Sequence, residues 1–217
     1  MEDIVIQGDI QFTRSTHEYI FLPTKKKLTS VSTIIKTVYN KKSWDGVDED
    51  VIANARERGI RVDDYVAAYI KYGRIEMANE REDVIERVKI AIDLLEQNYG
   101  NAEKIEAQKI VYDLDYGVAG TADIAVNGKT VVDLKATWSP EVDWILQIGG
   151  YAWLGGYSDS AIIHTSPRFY KKQKYPFGGK LLTYDTYDCI QWWKSALQWW
   201  CITKDMESAA KEKTVKA

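Results

Sequence analysis

Hydrophobic positions along the chain follow two periods, near two at the start and centre and near 3.6 in between and after. Residues 3–22 alternate apolar and polar, with Ile4, Ile6, Tyr19 and Phe21 on the apolar beat around Arg14-Ser15-Thr16. That predicts a β-hairpin or two short strands. Lys25–Lys27 then lead into Leu28 and a hydroxyl-rich helix start at Ser30, Ser32 and Thr33, ahead of Ile34 and Ile35. From Asp48 to Tyr72 the apolar spacing is helical through Val51, Ile52, Ala55, Val62, Val66, Tyr69 and Ile70. Gly59 interrupts it, and a glycine inside a helix suggests close approach of a backbone or ligand. Residues 80–99 predict a further amphipathic helix, ended by Tyr99-Gly100-Asn101, with charges that read as a solvated face.

Period two then returns. Strands are predicted over 104–112, 117–126 and 129–135, the last two joined across Asn127-Gly128, a strong hairpin signal. A helix follows over about 141–155, then a short buried strand at Ala161–His164. A second hairpin is expected between Lys171 and Tyr184, turning around Phe177-Gly178-Gly179. The final helix starts near Thr186, carries Trp192, Trp193, Leu197, Trp199 and Trp200, and frays into the lysine-rich tail Lys211–Ala217. With no repeats and no linker-like stretch, one domain over residues 1–217 is expected: an N-terminal hairpin extension (1–27), a core (28–205) and a frayed tail (206–217).

Composition narrows the classes more than it selects one. A net charge of −3 gives no global basic signature, so a polyanionic partner must be met by a local patch. Cys189 and Cys201, the only cysteines, argue against a disulfide framework or a zinc knuckle and cannot build a four-cysteine iron–sulfur cluster within one chain. No signal peptide and no apolar run of membrane-spanning length is visible, so a cytoplasmic protein away from membranes is expected.

The candidate chemistry lies at Gly120-x-x-Asp123 and Asp133-x-Lys135. Residues two apart on a strand share a face, so Asp133 and Lys135 project together. A two-residue turn at Asn127-Gly128 would set Asp123 opposite Val132 and send Asp133 to the other face. An odd-membered loop or a bulge brings the two aspartates to one face. Two such carboxylates repel unless a cation lies between them, and oxygen-only ligation suits Mg²⁺ or Mn²⁺. Lys135 would then orient or help deprotonate an attacking water and offset charge in the transition state. Gln147 and Tyr151 follow at i and i+4, a pair able to hold a phosphate or a ligand and to stack on a base. Asp63 sits on the inward face of its helix and needs a partner there, either an arginine or a metal. Ser30, Ser32 and Thr33 suit phosphate binding as well as capping. Arg56 belongs to the scattered basic residues able to track phosphates, with Lys25–Lys27, Lys41, Lys42, Arg61, Arg168, Lys171, Lys172 and Lys174.

In this order and spacing, Gly120-x-x-Asp123, Asp133-x-Lys135 and Gln147-x-x-x-Tyr151 resemble the PD-(D/E)XK nuclease superfamily, in its RecB-like exonuclease branch. Arg58-Gly59-x-x-Val62-Asp63 resembles a helix motif that usually ends in histidine, and Ser30-Val31-Ser32-Thr33 resembles a Ser-Val-Thr segment of small phage and mitochondrial members. The resemblance implies an α/β fold, a restriction-endonuclease-like core with a mixed central sheet flanked by helices, and Mg²⁺- or Mn²⁺-dependent hydrolysis of DNA. It implies Asp123, Asp133 and the Leu134 carbonyl as metal ligands and Lys135 as the catalytic lysine. Glu106 would be a ligand or water-positioning carboxylate, Gln147 and Tyr151 the supporting pair, and Asp63 would stand where histidine is usual. The expected function is a DNA exonuclease acting on single-stranded or frayed ends in viral or mobile-element recombination, replication or repair. The alternatives are a structure-specific endonuclease or junction resolvase on the same core, and a nuclease-like module that binds DNA or protein without cutting. A purely structural protein exposing its tryptophan-rich helix would hold the carboxylates apart.

Overall fold

The computed structural model describes residues 3–39, 46, 48–137, 141–170 and 173–215, with side chains described at neither 167–177 nor 212–215. In chain order the elements are β1 (Ile4–Gln7), β2 (Ile10–Thr13), β3 (Glu18–Phe21), β4 (Lys26–Ser30), α1 (Val31–Val38), α2 (Glu49–Tyr72) and α3 (Glu82–Tyr99). They continue as β5 (Ile105–Asp113), β6 (Val118–Val126), β7 (Thr130–Lys135), α4 (Val142–Gly155), β8 (Asp159–Tyr170), β9 (Gln173–Thr183) and α5 (Thr186–Val215).

The nine strands among the described residues join one mixed sheet, running β1-β2-β3-β4-β6-β7-β8-β9 with β5 on the remaining edge of β6. One face buries a core with α1, α4 and α5, through Val31, Ile148, Trp193 and Leu197. The other buries a core with α2 and α3, through Val62, Val66, Val88 and Leu95. The expected mixed central sheet flanked by helices is therefore present. Gly149 lets α4 lie on α5, since a Cβ there would stand 2.2 Å from the Cys189 carbonyl oxygen.

The position of β6 creates the opening that matters. Along one edge it pairs with β5, antiparallel over Val118–Val126. The other edge is shared end to end. β4 runs parallel to it as far as Ser30↔Ala119, and β7 runs antiparallel from Ile124↔Val132 onward. Gly120, Thr121, Ala122 and Asp123 fall between the two ladders, so neither β4 nor β7 pairs with them. The chain leaves a gap in its own sheet at the Gly-x-x-Asp stretch, facing the carboxyl ends of β4 and β7.

Several elements differ from expectation. The N-terminal segment forms four strands, and the lysine-rich Lys26–Ser30 is itself a strand that joins β3 to β6. Alternation there is masked by Lys25–Lys27, and within the strand Leu28 and Ser30 are the buried positions. Phe177-Gly178-Gly179 lies within β9, because β8 and β9 stay paired from Ala161↔Thr183 to Tyr170↔Gln173. Gly179 is required there by packing, since a Cβ would meet Ile90 Cγ2 at 2.2 Å. At Gly59 a Cβ would meet no atom within 4 Å, so no backbone approaches it. The α3 charges are not all solvated either: Arg87 is buried and donates through Nη1 to the Thr165 carbonyl oxygen. Its long aliphatic stem lets a charged position fall on the core side of an amphipathic helix. The Lys41 and Lys42 positions lie outside the described residues, as do the side chains of Arg168, Lys171, Lys172 and Lys174.

Candidate active site

The β6–β7 register decides whether the aspartates meet. Val126 pairs with Thr130, leaving the three-residue loop Asn127-Gly128-Lys129, in which Asn127 (φ 52°) and Gly128 (φ 64°) both adopt left-handed backbone. Carried two pairs on from Val126↔Thr130, the ladder reaches Ile124↔Val132, and its next level sets Asp123 opposite Asp133. The odd-membered loop places both carboxylates on the face toward α4, where they come within hydrogen-bonding reach. The edge left free by the gap is partly closed by side chains: Asp123 Oδ2 accepts from the Leu134 backbone N–H at 2.7 Å. On the far side of β6, Gln108 has φ 53° and drops out of the ladder opposite Asp123.

A chain of contacts runs from this pair into α4. Lys135 Nζ lies 2.5 Å from Asp133 Oδ2 and donates to Gln147 Oε1 at 2.8 Å. Gln147 Nε2 in turn donates to the Tyr151 hydroxyl at 2.8 Å. Tyr151 is buried, and its ring lies on Gly120, where a Cβ would come within 2.6 Å of Cε1. Glycine is needed at 120 because the ring occupies the space of a side chain. Tyr151 therefore offers no free face for a base, and its expected stacking role gives way to holding Gln147. Gly120→Ala is expected to push the ring off β6 and release Gln147 from Lys135. Crystallography of the variant checks this, and a Tyr151 ring left in place would contradict it.

Asp63 enters from α2. Its pKa is raised well above the carboxylate range by burial, then by the charge of Asp123, against the opposing pull of Lys135 and with a further rise from Asp133. Asp123 is pushed up to about 7 by burial and by Asp133, with Lys135 and the Leu134 N–H pulling it down. Burial pulls the Lys135 ammonium down, but Asp133 and then Asp123 outweigh it and raise its pKa. Lys135 is thus held as a charged donor at neutral pH.

These shifts have a consequence for stability. A carboxyl whose folded pKa lies above its ordinary 3.8 stabilises the fold in its protonated form. That contribution is full below pH ~4 and is lost as pH rises through about 7. Melting temperature measured in chelator should fall across this window, and Asp123→Asn should flatten the slope. A slope unchanged in Asp123→Asn would exclude Asp123 as its source.

Not every expected residue joins the site. Glu106 is held by Lys104 (3.1 Å) and Lys109 (2.9 Å), and these lysines lower its pKa. The third carboxylate close enough to feel the charge of the two aspartates is Asp63, while Glu106 is paired with Lys104 and Lys109. Ser30 caps α1, accepting from the Thr33 N–H at 3.1 Å, and its hydroxyl contacts those of Ser32 (3.0 Å) and Thr33 (2.8 Å). Ser30 is the cap, and the Ser32 hydroxyl also reaches His17 Nε2 at 3.3 Å. Arg56 is exposed and falls on one stripe of α2 with Gly59 and Asp63. Two supporting side chains, Arg14 and Tyr19, carried no local signal. Arg14 bonds both Asp64 (3.3 Å) and Gln108, tying β2, α2 and β5 together beside Asp63, and the Tyr19 hydroxyl bonds Thr121 in the gap at 2.8 Å. Each contact joins positions far apart in sequence, which no short motif can express.

The donor set fits a hard divalent cation in type and in charge. Three carboxylates (Asp63, Asp123, Asp133) face one ammonium (Lys135), so two negative charges are uncompensated when all are ionised. Asp133 is 1% exposed, and its Oδ2, close to Lys135, has no hydrogen bond of good geometry. Among the described residues no three His, Cys, Asp or Glu side chains stand at coordinating distance from one point. The Leu134 N–H contacts Asp123, and the Lys135 ammonium contacts Asp133.

No protein-family model matches the sequence, and no curated protein matches it. Among solved structures, an alkaline exonuclease from Laribacter hongkongensis matches over 87% of this chain and 94% of its own, at 14% identity and a TM-score of 0.48. The same enzyme in complex with dAMP matches over the same shares at 12% identity and 0.47. A phage-related exonuclease from Haemophilus somnus matches over 82% and 96%, at 16% and 0.38. Likeness at this level is one of chain path, and it says nothing of what this chain binds or cuts. Among the described residues no helix is long and apolar enough to cross a membrane.

Proposed function

We propose that this chain is a metal-dependent nuclease of the PD-(D/E)XK type that removes nucleotides from DNA ends. The observation that carries the reading is the meeting of Asp123 and Asp133 across the β6–β7 register, at a gap in the sheet, with Lys135 beside them. Mg²⁺ or Mn²⁺ would be held by Asp123 and Asp133, with Asp63 adding negative charge nearby, and would supply Lewis-acid polarisation of a phosphate and a more acidic water.

The chain's own residues have distinct tasks. Asp123 and Asp133 create the negative potential, and the Leu134 N–H fixes the orientation of Asp123. Lys135, kept charged by the aspartates and aimed by Gln147, donates to the oxygens on which charge accumulates during phosphodiester cleavage. Tyr151 holds Gln147 so that the lysine does not swing toward Asp133 alone. The stripe of Arg56 and Gly59 leading to Asp63 gives a phosphate backbone a cationic approach with open space beside it.

Incubation of end-labelled linear single- and double-stranded DNA and of a closed circle with Mg²⁺ or Mn²⁺ tests the reading. Mononucleotides or short products from linear DNA, an intact circle and no cleavage in chelator are expected. Nicking of the circle would replace the exonuclease with a structure-specific endonuclease. No cleavage of any substrate would leave a binding module.

A further inference from the structure

We propose that the outer stripe of α5 pairs with the same stripe of a second copy of the chain, antiparallel, about a two-fold axis between Trp199 and Ile202. The helix has two apolar faces. Cys189, Trp193 and Leu197 form the inner one, buried under α1 and α4. Trp192, Ser195, Trp199, Ile202, Met206 and Ala209 form the other, and all six are exposed, Trp199 at 56% and Met206 at 64%. Their spacing alternates three and four residues, the repeat of a helix–helix seam.

Two features of the stripe favour a second copy over other occupants. The first is its self-complementarity in size. In the antiparallel register that sets Trp199 against Ile202, Trp192 meets Ala209 and Met206 meets Ser195, so every layer joins a larger residue to a smaller one. A parallel, in-register pairing would instead stack Trp on Trp and Ala on Ala, overfilling some layers and starving others. The flanking positions also tolerate the antiparallel form. On one side Gln198 comes beside Asp205 of the second copy, and on the other Thr203 beside Ala196, with no like charges opposed. The second feature is the unsupported length of α5. Residues 204–211 are all exposed, yet the helix continues to Val215. A helical extension with no packed face is marginal in water, and a paired helix supplies one. A seam in which the same patch serves both partners closes as a dimer and does not propagate.

Light scattering coupled to size-exclusion chromatography of the full chain should give about twice the 24.9 kDa chain mass. Trp199→Lys and Met206→Lys should each halve it and lower the helical signal in far-UV circular dichroism by no more than the 204–215 extension contributes, with the core still unfolding cooperatively. Orientation is read by copper-catalysed air oxidation in a Cys201→Ser background. A mixture of Ser195→Cys and Met206→Cys chains should cross-link, and neither variant alone should. A monomeric wild type, a trimer or larger species, a dimer that survives Trp199→Lys, or cross-linking of Ser195→Cys with itself would each overturn the proposal.

Discussion

Lys135→Ala is expected to lower metal-dependent cleavage of linear DNA by roughly 10²- to 10³-fold, the usual loss on removing one donor aimed at developing charge. Metal binding should move the other way. With the ammonium gone, three carboxylates face the pocket without their internal counter-charge, so Mg²⁺ measured by calorimetry should bind at least as tightly. This split separates a catalytic lysine from a structural one, whose loss would weaken both. Lys135→Arg should not restore the rate, because a planar guanidinium cannot take both the Asp133 and Gln147 contacts of a compact ammonium. Activity within a few-fold of wild type in Lys135→Ala would remove the residue from the mechanism.

Trp193→Ala is expected to cost about 3–5 kcal/mol in urea unfolding, the range for deleting a large aromatic from a closed core. Trp193 is 0% exposed and is the largest fully buried side chain among the described residues. It wedges between α5 and α4 at Gly150, where a Cβ would stand 3.1 Å from its Cδ2. Its Nε1–H makes no hydrogen bond, so Trp193→Phe loses volume but no polar contact and should cost less than ~2 kcal/mol. Equal losses in the two variants would show that packing volume is not what Trp193 contributes. A typical domain is stable by only ~5–15 kcal/mol, so Trp193→Ala should leave a measurable unfolded fraction at moderate temperature.

The long helices were legible because each buries a face at helical spacing. The three central strands were legible because short runs rich in β-branched residues lie between turn signals, although β6 and β7 are buried on both faces. The hairpin loop was legible in a sharper sense. Its odd length follows from requiring Asp123 and Asp133 on one face, and the register Val126↔Thr130 has it. Gln147 and Tyr151 could be placed beside Lys135 because helical spacing fixes their common face. What stayed hidden depends on three-dimensional neighbours. Strand β4 hid behind its lysines, and Gly179 looked like a turn although α3 presses on it within a strand. Arg87 looked solvated because a helical wheel cannot tell a charge on the rim from one reaching through to Thr165. Glu106 had the right residue type and strand, yet Lys104 and Lys109 occupy it.

The tip of the β6–β7 hairpin carries an unusual kind of constraint. Asn127, Gly128 and Lys129 are exposed, and a Cβ at Gly128 would meet nothing within 4 Å. Judged by packing the tip is free to vary, apart from Asn127, whose Oδ1 accepts from the Lys104 backbone N–H at 2.9 Å. Yet deleting one of the three would turn Asp133 and Lys135 toward the α2–α3 core and expel Val132 and Leu134 from it. Drift at this tip is therefore open to changes of letter that keep the left-handed backbone, and closed to a gain or loss of a single codon.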